Sequence, residues 1–113
     1  MKGIIINADK TRMLRLNINR MAEYKKTRGE DITASLSKLQ DSVDFELIRY
    51  IFYLGLKHED KDLTEEGAGD ILDILIENQG LEYVVSVLVE AITAALGIKD
   101  DLIQDHKTKS KNQ

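Results

Sequence analysis

The sequence predicts an α+β fold that is mainly α, in which an N-terminal β-hairpin is followed by about five helices in one compact bundle. Apolar residues alternate with polar ones near the N-terminus, which is the period of a half-buried strand. From residue 45 onward they recur at helical spacing over three long segments. The length of 113 residues suggests one domain, and 42% hydrophobic residues are too many for a disordered chain.

The hairpin is predicted over about residues 3–18. Gly3 to Ile6 form a short β-branched run, and the next four residues, "NADK", supply turn chemistry. Leu14, Leu16 and Ile18 then alternate with polar or flexible side chains along the second strand. A lone hairpin is marginally stable in water, so we expect it to pack on helices or to pair with another chain.

Two short helices are expected next. Asn17 is a suitable N-cap for "INRMAEYKKTRG", and Gly29 ends that helix. Its apolar face is thin, so we expect a surface helix. That face comprises Ile18, Met21, Ala22 and Tyr24. A second short helix follows in "DITASLSKLQ", with Asp31 as a candidate cap.

The segment "SVDFELIRYIFYLGLKHE" predicts the central helix. Ser42 or Asp41 is expected to cap it, and only two residues between Phe45 and Leu56 carry charge. A helix that is apolar nearly all round, here with Phe45 extending the apolar face, belongs in the core. Gly55 inside this helix predicts a close crossing by another helix, because glycine costs about 1 kcal/mol there relative to alanine.

The next helix, from residue 65 to 79, is predicted to be amphipathic, with Thr64 as its N-cap and Gly80 after its end. The apolar side comprises Ala68, Ile71, Leu72 and Leu75. Four acidic residues at i, i+4, i+7 and i+11 form a continuous stripe on the other side. They are Glu66, Asp70, Asp73 and Glu77.

The last predicted helix is "LEYVVSVLVEAITAAL", which Gly97 ends. Its apolar face is unusually wide because Tyr83, Val87 and Ala91 extend a row that already runs over four turns. We therefore place a single domain over residues 1–98. Residues 99–113 are polar with weak periodicity, and we expect a disordered tail there.

The stretch "KHEDKDLTEEGAGDILDILIENQG" resembles a calcium loop in composition but fails the pattern. The better EF-hand register puts Thr64 at the third place and Gly69 at the eighth, and it makes loop ligands of acids that fit the next helix. A phosphate loop lacks a preceding strand, a third glycine and the lysine. Glu65 and Glu66 instead favour the positive end of a helix dipole, so we interpret this stretch as a helix start.

The sequence offers no catalytic, metal-binding or cofactor-binding pattern. The only histidines are His58 and His106, and neither has a ligand partner at helical spacing. No serine lies in a G-x-S-x-G frame, and cysteine is absent. We expect a protein without enzymatic activity, metal or cofactor.

Charge is unevenly distributed along the chain. Residues 1–29 carry a net +6, residues 30–105 a net −13, and the last eight residues +3, within a total of −4. The basic end could lie over the acidic body of the same molecule, or the asymmetry could guide partners. The acidic body argues against sequence-specific DNA binding, and no segment approaches the roughly 20 apolar residues of a membrane helix. Without cysteines or a signal peptide, a cytoplasmic location is expected.

The order of elements resembles the tail assembly chaperones of long-tailed phages and prophages of Gram-positive bacteria, over about residues 3–97. The segment "MLRLNINRMAEYKKTRG" is similar to a strand followed by a lysine-rich helix in that family. "LGLKHEDKDLTEE" resembles the end of the family's central helix, and "DILDILIENQG" precedes a final apolar helix. The sequence departs from the usual pattern between Gly29 and Asp41, where such proteins often carry proline.

The resemblance implies a non-enzymatic protein of the bacterial host's cytoplasm that binds the tape-measure protein and helps to recruit tail-tube subunits. It also implies self-association into a homo-oligomer, and in many relatives a longer form made by ribosomal frameshifting. A small regulatory or adaptor domain of a mobile element, binding a host protein or nucleic acid, is the alternative.

A tape-measure protein presents long amphipathic helices, which dock in apolar grooves with charged rims. The hypothesis at the residue level places the groove on the last helix and the rim on the acidic stripe. Its residues are Glu66, Asp70, Asp73, Glu77, Tyr83, Val87 and Ala91. The competing interpretation makes the apolar residues core and the stripe a solvated surface.

Overall fold

A two-stranded antiparallel sheet opens the chain, and five α-helices follow it in one bundle. This is the α+β, mainly α class that the sequence predicts. The computed structural model describes residues 3–97. Strands β1 (Ile4–Asn7) and β2 (Thr11–Leu14) precede α1 (Ile18–Arg28), a 3₁₀ turn (Ile32–Ala34), α2 (Ser35–Asp41), α3 (Phe45–Leu56), α4 (Glu65–Gln79) and α5 (Leu81–Ala95). The predicted tail at 99–113 lies outside the described residues.

The hairpin is shorter than the sequence predicts. The strands pair from Ile4–Leu14 to Asn7–Thr11, and β2 ends at Leu14 instead of reaching Ile18. Asn17 accepts a hydrogen bond from the backbone N–H of Arg20 at 3.0 Å, so Ile18 already belongs to α1 and is 68% exposed. The helix that Asn17 caps therefore begins before the end of the strand that the alternation predicted.

One buried residue anchors α1. Tyr24 is fully buried with its ring centroid 6.0 Å from that of Tyr50, whereas the Ile18 and Ala22 side chains, which were predicted on the inner face, are exposed. Gly29 ends the helix at φ 77°, as expected. Asp31 precedes the 3₁₀ turn but makes no capping hydrogen bond through its side chain, which lies 3.4 Å from the Lys25 ammonium.

Helix α3 is the centre of the core, as the sequence predicts. It buries eight of its twelve residues and packs against β2, α1, α2, α4 and α5. Its cap is Asp44, which accepts from the N–H of Leu47 at 3.1 Å, and not Ser42 or Asp41. The later start leaves Phe45 in the first turn, where it is 63% exposed and lies outside the predicted apolar face.

The close approach at Gly55 involves a strand rather than the predicted helix. An ideal Cβ on Gly55 would lie 2.7 Å from Leu14 Cδ2, and the Gly55 carbonyl accepts from the N–H of Arg15 at 2.9 Å. Glycine at this position thus lets the end of β2 lie directly on α3.

Helices α4 and α5 complete the core. Thr64 caps α4 by accepting from the N–H of Gly67 at 3.0 Å, and its four predicted apolar residues are all buried. Gly80, at φ 92°, separates α4 from α5. Helix α5 then packs on α2, α3, α4 and β1, and Gly97 follows its end. In residues 3–97, no helix is long and apolar enough to cross a membrane.

Candidate partner-binding surfaces

The acidic face of α4, defined as Glu66, Asp70, Asp73 and Glu77, is exposed along its whole length. All four side chains lie on the side of α4 opposite its buried residues, because the helix has 3.6 residues per turn. Within residues 3–97 none of them forms an ion pair. Ile74, on the same helix, is 37% exposed at the margin of this face.

The three predicted groove residues of α5 do not share that surface. Val87 is 4% exposed and Ala91 is 2% exposed, so both side chains belong to the core. Tyr83 is half-buried. Val85 and Val89 of α5 are also half-buried, so each is partly accessible to solvent. The structure therefore separates the acidic face from Val87 and Ala91 and does not form one groove from them.

No basic side chain of residues 3–29 forms an ion pair with the acidic face of α4. The ion pairs of these residues are mainly local: Arg12 bonds to Asp9, with Nε–Oδ1 at 2.8 Å, and Arg20 to Glu23, with NH1–Oε1 at 3.1 Å. The bidentate hydrogen bonds from Arg12 lower the pKa of Asp9 to about 2. Charge neutralisation inside the molecule thus leaves α4 with its negative charge.

A basic pocket of about 240 Å³ lies between the start of α1 and the end of α3. Sequence reasoning did not find it. It is lined by Asn17, Arg20, Lys57, His58 and Lys61. The net positive charge of residues 1–29 indicated one half of it, but nothing in the linear sequence brings Arg20 beside residues 57–61.

Several polar groups of the basic pocket already have partners. The Lys57 ammonium lies 3.0 Å from Glu23 Oε2 and 5.2 Å from the centroid of the Tyr53 ring. Partial burial opposes protonation there, but the hydrogen bond and charge of Glu23 raise the pKa of Lys57 overall. His58 Nε2 lies 2.8 Å from the carbonyl oxygen of Met13 and must donate to it, since a carbonyl only accepts. Arg20 also pairs with Glu23, so among the charged residues that line the pocket only Lys61 forms no ion pair within residues 3–97.

No group of three or more His, Asp or Glu side chains in residues 3–97 is placed to hold a metal ion. Asp70 and Asp73, which the calcium-loop pattern would require as ligands, lie on α4. His106 lies outside the described residues. Comparison of the chain with protein-family models, with curated proteins and with solved structures finds no match.

Proposed function

We propose that this protein is a non-enzymatic chaperone of phage tail assembly in the cytoplasm of a bacterial host, which binds the tape-measure protein, helps to recruit tail-tube subunits and self-associates. The observation that carries the proposal is the acidic face of α4. An exposed row of four carboxylates without ion pairs in residues 3–97, bordered by Ile74, suits a basic amphipathic helix. In the family that the sequence resembles, the tape-measure protein presents long amphipathic helices.

The contact differs from the groove that the sequence suggested. Because Val87 and Ala91 are buried, a partner helix would lie along α4 and contact the carboxylates and Ile74. Exposed rim charges mainly raise the association rate and make binding depend on salt, so the complex should weaken as ionic strength rises.

The test is co-expression with the tape-measure protein encoded by the same phage or prophage, followed by affinity purification and light scattering. The proposal expects a soluble complex of defined mass and a tape-measure protein that aggregates when it is expressed alone. A tape-measure protein with the same solubility and mass in the presence and absence of this chain would overturn it.

A quadruple amide variant tests the surface itself. It carries Glu66→Gln, Asp70→Asn, Asp73→Asn and Glu77→Gln. The matched control makes the same change in charge at four other exposed acids, namely Asp41→Asn, Asp62→Asn, Glu82→Gln and Glu90→Gln. We expect the first variant to lose binding by about tenfold or more at low salt and the control to bind nearly as wild type. Equal binding by both variants would show that the acidic face of α4 is not part of the interface.

The basic pocket favours the alternative, a small adaptor domain that binds nucleic acid or an acidic host protein. Lys61 is exposed and Arg20 lines the same cavity, so a phosphate could be attracted there. A salt-sensitive shift of DNA on a gel that Arg20→Gln and Lys61→Gln together abolish would support this alternative over the chaperone.

A further inference from the structure

The end of α3 and the turn that follows it close the outer edge of β2 with backbone and side-chain groups. The N–H of Met13 donates to Glu59 Oε2 at 3.1 Å, and the carbonyl of Met13 accepts from His58 Nε2 at 2.8 Å. Just beyond β2, the N–H of Arg15 donates to the carbonyl of Gly55 at 2.9 Å. No other strand can pair at Met13 while these bonds persist.

These bonds also fix the direction of the backbone groups on β1. In an antiparallel pair, residues that do not exchange hydrogen bonds turn their N–H and C=O groups away from each other. The N–H and C=O groups of Met13 point away from β1. Those of Ile5, which lies opposite Met13, therefore point away from β2. The bond from the N–H of Ala8 to the carbonyl of Lys10 follows the same alternation. The free edge of β1 is therefore formed by the outward N–H and C=O groups of Gly3, Ile5 and Asn7.

At four residues β1 is short, but within residues 3–97 its free edge lacks the other usual protections. Soluble proteins protect sheet edges with very short strands, charged residues, proline, bulges or covering segments. The sequence of β1 is IIIN, without charge or proline, and it pairs with β2 in a regular register. Within residues 3–97 no hydrogen bond reaches the backbone of Ile5 from outside the hairpin, and its side chain is 56% exposed.

We infer that β1 pairs with β1 of a second copy of this chain, antiparallel about a twofold axis at Ile5, to form a four-stranded sheet. This inference specifies the self-association part of the proposed function, and it does not depend on the tape-measure part. The occupant is a second copy because the edge is self-complementary. Ile5 meets Ile5 of the second copy in a hydrogen-bonded pair, and Gly3 meets Asn7 on each side of the axis.

The side chains on the outer face support the same arrangement. Ile5 and Met13 are directly opposite each other across the hairpin, and Met13 is half-buried against Gly3. Pairing about Ile5 therefore produces one apolar row across four strands, with Met13 at each end and the two Ile5 side chains in the middle. No charged residue of β1 opposes itself across the axis, because β1 contains none.

Light scattering and sedimentation of the full chain test the inference directly. We expect a reversible monomer–dimer equilibrium in which the mass rises above the 12.8 kDa of the monomer with concentration. Ile5→Lys places two like charges opposite each other at the axis and should raise the dissociation constant by about tenfold or more. Val43→Lys is the matched control, since Val43 is 57% exposed and lies between α2 and α3; it should leave the equilibrium unchanged.

A cysteine variant gives a readout that does not depend on disrupting the interface. The chain has no cysteine, so Ile5→Cys introduces a single thiol at the axis. A hydrogen-bonded antiparallel pair has Cα atoms about 5.5 Å apart, within the range that a disulfide spans. Mild oxidation should cross-link Ile5→Cys into a dimer, whereas Val43→Cys should remain largely monomeric.

A wild-type chain that stays monomeric up to several hundred micromolar would overturn the inference. It would also be overturned by a dimer that Ile5→Lys leaves intact while Val43→Lys dissolves it. If another segment of the same chain occupies the edge, oxidation of Ile5→Cys yields no dimer, which contradicts the second copy as occupant. None of these experiments contains the tape-measure protein, so their outcome is separate from that of the co-expression test.

Discussion

At the scale of residues, Gly55 determines how closely the hairpin packs on α3. The missing side chain of Gly55 lets Leu14 lie on α3, and the Gly55 carbonyl holds the backbone of Arg15. The sequence indicated that something passes close to Gly55, because glycine is costly inside a helix. It could not show that the neighbour is a strand, because a close approach by either kind of element requires the same small residue.

Gly55→Ala should destabilise the protein by about 1–2 kcal/mol. The added methyl group would lie 2.7 Å from Cδ2 of Leu14, which is buried in the core, and we expect this overpacking to outweigh the gain of about 1 kcal/mol in helix propensity. Urea unfolding measures the difference. Gly69→Ala is the matched control, because its nearest neighbour is the exposed Arg49; we expect it to stabilise by up to about 1 kcal/mol. A stabilised Gly55→Ala variant would contradict the contact.

The Asp9–Arg12 pair should give the stability a dependence on acid pH. The pKa of Asp9 is about 2 in the folded protein against 3.8 as the ordinary value, so the unfolded chain binds more protons between these values. The pair therefore stabilises the folded protein above pH 3.8, and this contribution to the free energy of unfolding is lost as the pH falls toward 2. Asp9→Asn should destabilise at neutral pH, and its difference from wild type in urea unfolding should shrink through this window. In an Arg12→Gln background that pH dependence should be much smaller, because Arg12 is the largest cause of the lowered pKa of Asp9.

At the scale of elements, the sequence predicted the helices better than their exact ends and inner faces. Helices α4 and α5 were correctly placed, because each has an unambiguous boundary residue and a long apolar period. The start of α3 was not, since Asp41, Ser42 and Asp44 are all suitable caps and only the geometry of the preceding turn selects Asp44. For helix α1, Met21 and Tyr24 were correctly placed on the inner face, but Ile18 and Ala22 were not, since both are exposed.

The cap of α3 can be tested by two alanine substitutions. Asp44→Ala removes the acceptor for the N–H of Leu47 and should cost about 1 kcal/mol of unfolding free energy. Ser42→Ala should change it by less than about 0.5 kcal/mol, because Ser42 is exposed and lies before the cap. Thermal or urea unfolding of both variants checks the pair. The opposite order of effects would move the start of α3 back to Ser42.

At the scale of the whole molecule, the order of charged residues along the sequence predicted a charge asymmetry. It did not predict where the charges lie in the folded protein. Three basic residues of the first third pair with acids within a few positions, and within residues 3–97 none pairs with the acidic face of α4. Its four residues were predictable because helical spacing places them on one side. Val87 and Ala91 could not be assigned to surface or core from the sequence, because a wide apolar face on α5 suits either. Packing by α2, α3, α4 and β1 buries them.

Dimerisation through β1 should couple stability to concentration. A second copy that binds only the folded chain stabilises it by mass action, so the melting temperature of wild type should rise by roughly 3–8 °C over a hundredfold range of concentration above the dissociation constant. Ile5→Lys should melt at one temperature over the lower part of that range, and Val43→Lys should follow wild type. Differential scanning calorimetry measures this, and a concentration-independent wild type would contradict the coupling.

The bonds that close β2 have a further consequence for the chain during its synthesis. Met13 leaves the ribosome well before Glu59, which is 46 positions further along. At a translation rate of roughly 5–20 residues per second, this delay is about 2–9 seconds. Throughout that interval the nascent hairpin lacks His58 and Glu59, so both of its edges are open to strands of neighbouring nascent chains. Adjacent ribosomes on one messenger RNA would hold such hairpins close together, and synthesis of His58 and Glu59 is the event that limits pairing to β1.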